Sequence, residues 1–110
     1  VSFFESEVVR AEMAEISELQ EEIYHNVYKF FMMNKEEKLQ HVDLLQKLLE
    51  KQQILYTRMS LSDDPEAQEM KAKVLESAEA MGIPKTSDIN IIFSNMSRLI
   101  DTMKKAIDQD

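Results

Sequence analysis

The sequence predicts an all-α fold: two long antiparallel helices followed by a shorter helical pair, arranged as a four-helix bundle or an extended helical hairpin. Three observations carry that expectation. Apolar residues recur in alternating steps of three and four through most of the chain, the spacing of one helix face. Gly occurs once and Pro twice in 110 residues, so helix breakers are confined to a few points. At those points Ser, Asn, Asp and Pro stand in the order that stops one helix and starts the next. The chain reads as a single helical domain, residues 1–110, with helices at about 3–30, 35–61, 65–81 and 88–107.

Ser2-Phe3-Phe4-Glu5 has the form of a capping box, with Ser2 at the N-cap and Glu5 three positions on. From there Val9, Met13, Ile16, Gln20, Ile23, Val27 and Phe30 follow heptad steps with one polar member. Leu19, Tyr24 and Phe31 widen the stripe. The remaining surface of this helix is acidic: Glu5, Glu7, Glu12, Glu15, Glu18, Glu21 and Glu22 stand against Arg10 and Lys29. Asn34 with Glu37 forms the next cap signal. The link from Phe31 to Asn34 is so short that the two helices must be antiparallel neighbours. The second stripe is Val42, Leu45, Leu49, Gln52, Tyr56 and Met59, with Leu44, Leu48 and Leu55 beside it. Both long helices should measure on the order of 40 Å. Gln20 and Gln52 each fall mid-stripe, where a buried polar residue can fix register.

Around Leu61 to Ala67 the chain turns. Pro65 suits the first helical position, since it lacks an N–H and has a fixed φ. That places Asp64 at the N-cap and Glu66 in the first turn. This capping logic explains the string without a ligand. The third stripe is Ala67, Met70, Val74, Ala78 and Met81, with Leu75 alongside. Gly82 is placed for a left-handed helix end, followed by Ile83 as the hydrophobic contact and Pro84 as the stop. Thr86 or Ser87 caps the fourth helix. Its stripe is Ile89, Ile92, Met96, Leu99, Met103 and Ala106, widened by Phe93, Ile100 and Ile107.

The composition narrows function. There are no cysteines, which removes thiolate catalysis, disulfides and cysteine zinc sites. The net charge is −8, which argues against nucleic-acid backbones as partners. No apolar run approaches the ~20 residues of a membrane span, and no secretory leader is visible. A cytoplasmic location is expected. With one glycine, neither a phosphate-cradling loop nor a nucleophile elbow can be built.

The sharpest chemical candidate is Glu22-Ile23-Tyr24-His25. Glu-x-x-His is the unit of di-metal carboxylate bundles, which need two such units and two more carboxylates. The second helix offers Glu37 and His41, but Lys38 stands where the second unit needs a carboxylate. No catalytic, metal or cofactor-binding residues are therefore assigned, and no cofactor is expected. Eight methionines fill core positions for the most part, and Met is also over-used on adaptable binding surfaces. Phe30, Phe31, Met32 and Met33 at the hairpin tip are the candidate partner-binding residues.

Phe3-Phe4-Glu5-Ser6-Glu7-Val8-Val9 and the blocks from Leu49 to Gln52 and from Leu61 to Ala67 resemble a small helical family of unknown function found in cyanobacteria and their phages. The resemblance covers nearly the whole chain. It implies a cytoplasmic protein of a cyanobacterium or an infecting phage, and it supplies no reaction and no active-site residues. The expected function is a non-enzymatic interaction module, an adaptor or regulator. Its expected partner is a protein, for instance of the host, with homodimer formation. An oligomeric phage structural or packaging component ranks second. A metal-dependent bundle enzyme ranks last.

Overall fold

The computed structural model of the chain describes residues 2–80, 82 and 88–109, without the side chain of Ala78. It is all-α. The described helices are α1 (Glu7–Val27), α2 (Lys35–Leu61), α3 (Pro65–Ala80) and α4 (Ile89–Asp108), with single 3-10 turns at Phe3–Glu5 and Phe30–Met32. The expectations for Met81, Ile83, Pro84, Thr86 and Ser87 lie outside the described residues.

The helix ends follow from named side chains. Asn34 Oδ1 accepts the Glu37 N–H at 2.8 Å while Glu37 Oε1 accepts the Asn34 N–H at 3.2 Å, the reciprocal pair of a capping box. Asp88 Oδ1 accepts the Asn90 N–H at 2.9 Å and starts α4. Gly82 has φ of +91°, and its N–H donates to the Glu79 carbonyl at 3.0 Å, the inner bond of a Schellman-type helix end.

The start of the chain departs from expectation. Ser2 makes no side-chain cap bond, and the first turn stops at Ser6, whose backbone is extended at φ −62°, ψ 136°. The Glu5 N–H, which the Ser2 hydroxyl would accept in a capping box, donates instead to the Ser2 carbonyl at 3.1 Å, and the Phe3 N–H donates to Asp64 Oδ2. The α-helix proper begins at Glu7 and ends at Val27 rather than Phe30.

α2 is the shared partner of the other three helices. Its contacts with α1 fall in antiparallel register: Lys51 Nζ meets Glu15 Oε2 at 2.6 Å and Arg58 Nε meets Glu12 Oε1 at 2.9 Å. Its contacts with α4 also run antiparallel, from Lys35 Nζ on the Asp108 carbonyl at 2.9 Å, through Lys104 Nζ on Asp43 at 2.7 Å, to the Tyr56 and Phe93 rings 5.6 Å apart. The apolar core accordingly has two parts. Val42 and Leu49 pack with Ile89, Phe93, Ile100 and Ile107, whereas Leu55, with Leu48 beside it, packs with Val9 and Ile16. Tyr56 touches both.

The stripe read as one seam therefore divides between two neighbours. The residues read as broadening it, Leu48 and Leu55, supply the α1 contact. Gln20 and Gln52 do not face each other in a seam. Both are half-buried and line neighbouring clefts. Each fully buried Leu, Ile, Val or Phe is worth about 1.5–3 kcal/mol, against about 0–1 kcal/mol for an exposed ion pair. The apolar seams thus hold the helices, and the ion pairs fix register.

The molecule is elongated and thin, with extents of 48 × 31 × 18 Å and a radius of gyration of 15.7 Å, where a compact chain of this length has about 13 Å. α3 folds back over the C-terminal half of α2. Its Ala67 is fully buried, and its Met70 borders both the cleft toward α1 and the cleft toward α4.

Candidate partner-binding surface

At the hairpin tip the chain leaves α1 through Tyr28 and a hydrogen bond from the Lys29 N–H to the Asn26 carbonyl at 3.0 Å. The Phe30–Met32 turn follows, Met33 is extended, and the Asn34–Glu37 capping box restarts the helix. This geometry sorts the four candidate residues. Phe30 turns inward, half-buried against the α2–α4 core, with the His41 ring 5.5 Å away and the Lys38 ammonium 5.5 Å from its centroid. Phe31 meets Phe30 edge-on at 6.0 Å and is 90% exposed. Met32 is 88% exposed, and Met33 is half-buried. Phe30 is therefore an anchor of the turn, and the outward surface consists of Phe31 and Met32.

Three further apolar residues join that surface, and the sequence reading placed two of them in the core stripe. Tyr28 is 89% exposed, Tyr24 67% and Val27 43%. Val27 falls on the heptad spacing, but α1 ends there and no helix covers it. Its position in the last turn was the available signal, because a stripe is buried only as far as its neighbour reaches.

Two apolar clefts lie on the same side of α2. One, of about 330 Å³, is lined by Gln52, Tyr56, Met70, Val74, Phe93 and Met96, among others. The other, of about 280 Å³, lies between Phe4, Met13, Gln20, Tyr56 and Met70. Burial raises the Tyr56 phenol above its ordinary pKa.

The residues weighed for a metal are held apart. Glu22 and His25 are exposed, the Glu37 carboxylate is occupied in the α2 cap, and His41 is buried beside Phe30. Among the described residues no three His, Asp or Glu side chains converge on a metal-sized site. Two of the cations are held by local partners. Arg58 is on Glu12, and Lys104 bridges Asp43 and Gln46 Oε1, the latter at 2.9 Å. No helix among the described residues is long and apolar enough to cross a membrane.

The corner at the other end of α2 is closed by polar contacts. Asp64 accepts the N–H of Phe3 at one oxygen and that of Glu66, at 3.0 Å, at the other. These two bonds, the Phe3 one foremost, hold its carboxyl below the ordinary carboxylate range. Ser62 Oγ accepts the Asp64 N–H at 3.1 Å, and Gln68 Nε2 donates to the Ser62 carbonyl at 2.6 Å.

The structure is thus an all-helical fold with an exposed apolar surface at the hairpin tip. The chain belongs to the family described as Domain of unknown function (DUF1825), which matches residues 1–107. Searches of curated proteins and of solved structures found no match.

Proposed function

We propose that the chain is a non-enzymatic helical interaction module that docks a protein partner through the hairpin tip. The observation that carries this reading is the near-complete exposure of Phe31 and Met32, with Tyr28 beside them, on a turn held in place from inside by Phe30 and the Asn34–Glu37 box. Large apolar side chains on a fixed turn are what a partner's pocket selects: the ordering cost is met before binding, and aromatic anchors dominate interface energetics. The acidic outer face of α1 would favour a partner with basic groups at its rim, by raising the association rate. The resemblance of the Phe3–Val9 and Leu49–Ala67 regions to a cyanobacterial and phage family makes the cytoplasm of such a cell the setting of this reading.

The test is site-specific photo-crosslinking in that cell. A photoreactive phenylalanine analogue at position 31 or 32 is expected to form a protein adduct, whereas the same group at Ile91, half exposed on α4, is not. No adduct from either tip position, or equal adducts from all three, would overturn the reading.

A further inference from the structure

We infer that the partner surface continues from the tip onto the exposed face of α1, and that its occupant is a basic segment of another protein, one that sets an Arg or Lys side chain against Glu21, Tyr24 and Tyr28. Helical steps of three and four join these residues in one row, and the backbone stays helical through Tyr28, at φ −71° and ψ −18°. Glu21 is exposed, and Tyr24 and Tyr28 are the open tyrosines described above. From Glu18 to Tyr28 the chain carries three glutamates and neither Lys nor Arg. The carboxylates one turn and more before this stretch are met from within, Glu12 by Arg58 and Glu15 by Lys51. Glu18 and Glu22 border a polar cleft with Lys47 and Lys51 of α2. Glu21 lies outside that cleft and makes no ion pair among the described residues.

That carboxylate selects the occupant. A partner that buries Tyr24 and Tyr28 also covers Glu21, one turn before Tyr24, and taking an ionised carboxylate out of water unpaired is costly. The covering surface must therefore bring a cation. Arginine suits best, because its planar guanidinium donates two N–H groups to a carboxylate and stacks on tyrosine faces. A neutral apolar ridge, which Phe31 and Met32 alone would admit, leaves Glu21 unpaired. A second copy of this chain meets the requirement badly. Arg10 lies on the same side of α1, about three turns before Glu21, so an antiparallel two-fold pairing that brings it to Glu21 sets Glu7 against Tyr24. Lys29 follows Tyr28, but it arrives with the Glu18, Glu21 and Glu22 of its own copy, on a chain of net charge −8.

This assignment rests on the interaction-module reading and names the partner's chemistry, so its test separates the two. The full chain, with a photoreactive phenylalanine analogue at position 24, is crosslinked in the cell, and the adduct is mapped by mass spectrometry to the segment it joins. That segment is expected to hold more Arg and Lys than Asp and Glu. Glu21→Lys places like charges face to face and is expected to lower the yield by more than about tenfold, with Glu21→Gln falling between. The position is exposed, so helicity and melting should hold. Glu76→Lys, the same change at an exposed α3 position, should leave the yield unchanged. No adduct from position 24, an adduct in a neutral or acidic segment or in a second copy of this chain, a yield indifferent to Glu21→Lys, or an equal loss in Glu76→Lys would overturn the inference. Adducts from positions 31 and 32 in any of those cases leave the tip reading standing. A Glu21-dependent adduct from position 24 to a basic segment, with none from 31 or 32, supports the α1 site and removes the tip reading.

Discussion

The two ends of α2 use the same local grammar and arrive at different surfaces. At the Leu61–Ala67 end, a Ser-Asp-Asp-Pro string caps α3, and a third element arrives to cover the turn. The Phe3–Glu5 turn sits on α3, and Met59 and Ala67 are almost wholly buried, with Leu61 alone of the large apolar residues at this corner left outward. At the Tyr28–Asn34 end, an equally sound capping box restarts the helix, yet Tyr28, Phe31 and Met32 face outward. Cap chemistry decides where a chain turns. Whether the turn becomes part of the core depends on a third element reaching it. The corner received one from the start of the chain, and the tip received only its own Phe30.

Substitutions can break this contrast. The largest effect is expected at the covered end. Met59 is 1% exposed, and Met59→Ala should cost about 2–5 kcal/mol in a denaturant titration, by lost transfer energy and the cavity left behind. A cost below about 1 kcal/mol, the range of surface changes, would mean that this end is not the packed one.

The next effect is pH-dependent. Asp64 has its folded carboxyl held below its ordinary value of 3.8. Its contribution is therefore present above the unfolded value and lost as pH falls through the lowered folded one. Asp64→Asn should melt below wild type at neutral pH, with the gap closing in acid. A gap that stays constant from neutral pH to well below the ordinary carboxylate range would break the assignment of the Phe3 and Glu66 bonds to the ionised form.

The smallest effect is expected at the tip. The double change Phe31→Ser and Met32→Ser should move stability by no more than about 0.5 kcal/mol, while abolishing crosslinking from neighbouring tip positions. A loss comparable to that of Met59→Ala would make the tip part of the core.

Much of the architecture was legible in the chain. Asn34 with Glu37, and Asp64 before Pro65, set the ends of α2 and the start of α3, because caps are local physics that neighbours seldom override. The core face of α4 was legible in part: Ile89, Ile92, Met96 and Met103 are buried or half-buried as read, but Leu99 and Ala106 from the same stripe are exposed, and Phe93, Ile100 and Ile107, read as its flank, carry the contact with α2. Two features were not. The tie of the Phe3 N–H to Asp64, 61 residues away, is a long-range contact that no local pattern encodes, and the break at Ser6 accompanies it. The division of the α2 stripe was hidden because heptad spacing reports that a face is apolar, not how many helices share it. At the tip, Phe30 and Phe31 are indistinguishable as sequence. Backbone direction in a three-residue turn sends one to the core and the other to solvent. Tyr24 was read as a flank of the buried stripe and Tyr28 was not singled out, yet both face solvent, because at this end of α1 heptad spacing alone does not say where a neighbour stops.

The position of α2 between two apolar seams also bears on how the chain folds. A hairpin of α1 and α2 alone would leave Val42, Leu49 and Tyr56 without α4, and α2 with α4 alone would leave Leu48 and Leu55 without α1. Neither half can bury what α2 carries, so half-formed states lack a stable surface and the seams should form or melt together. Amide hydrogens in the middle of α2 should therefore exchange only through global opening, and those of the tip through local fraying.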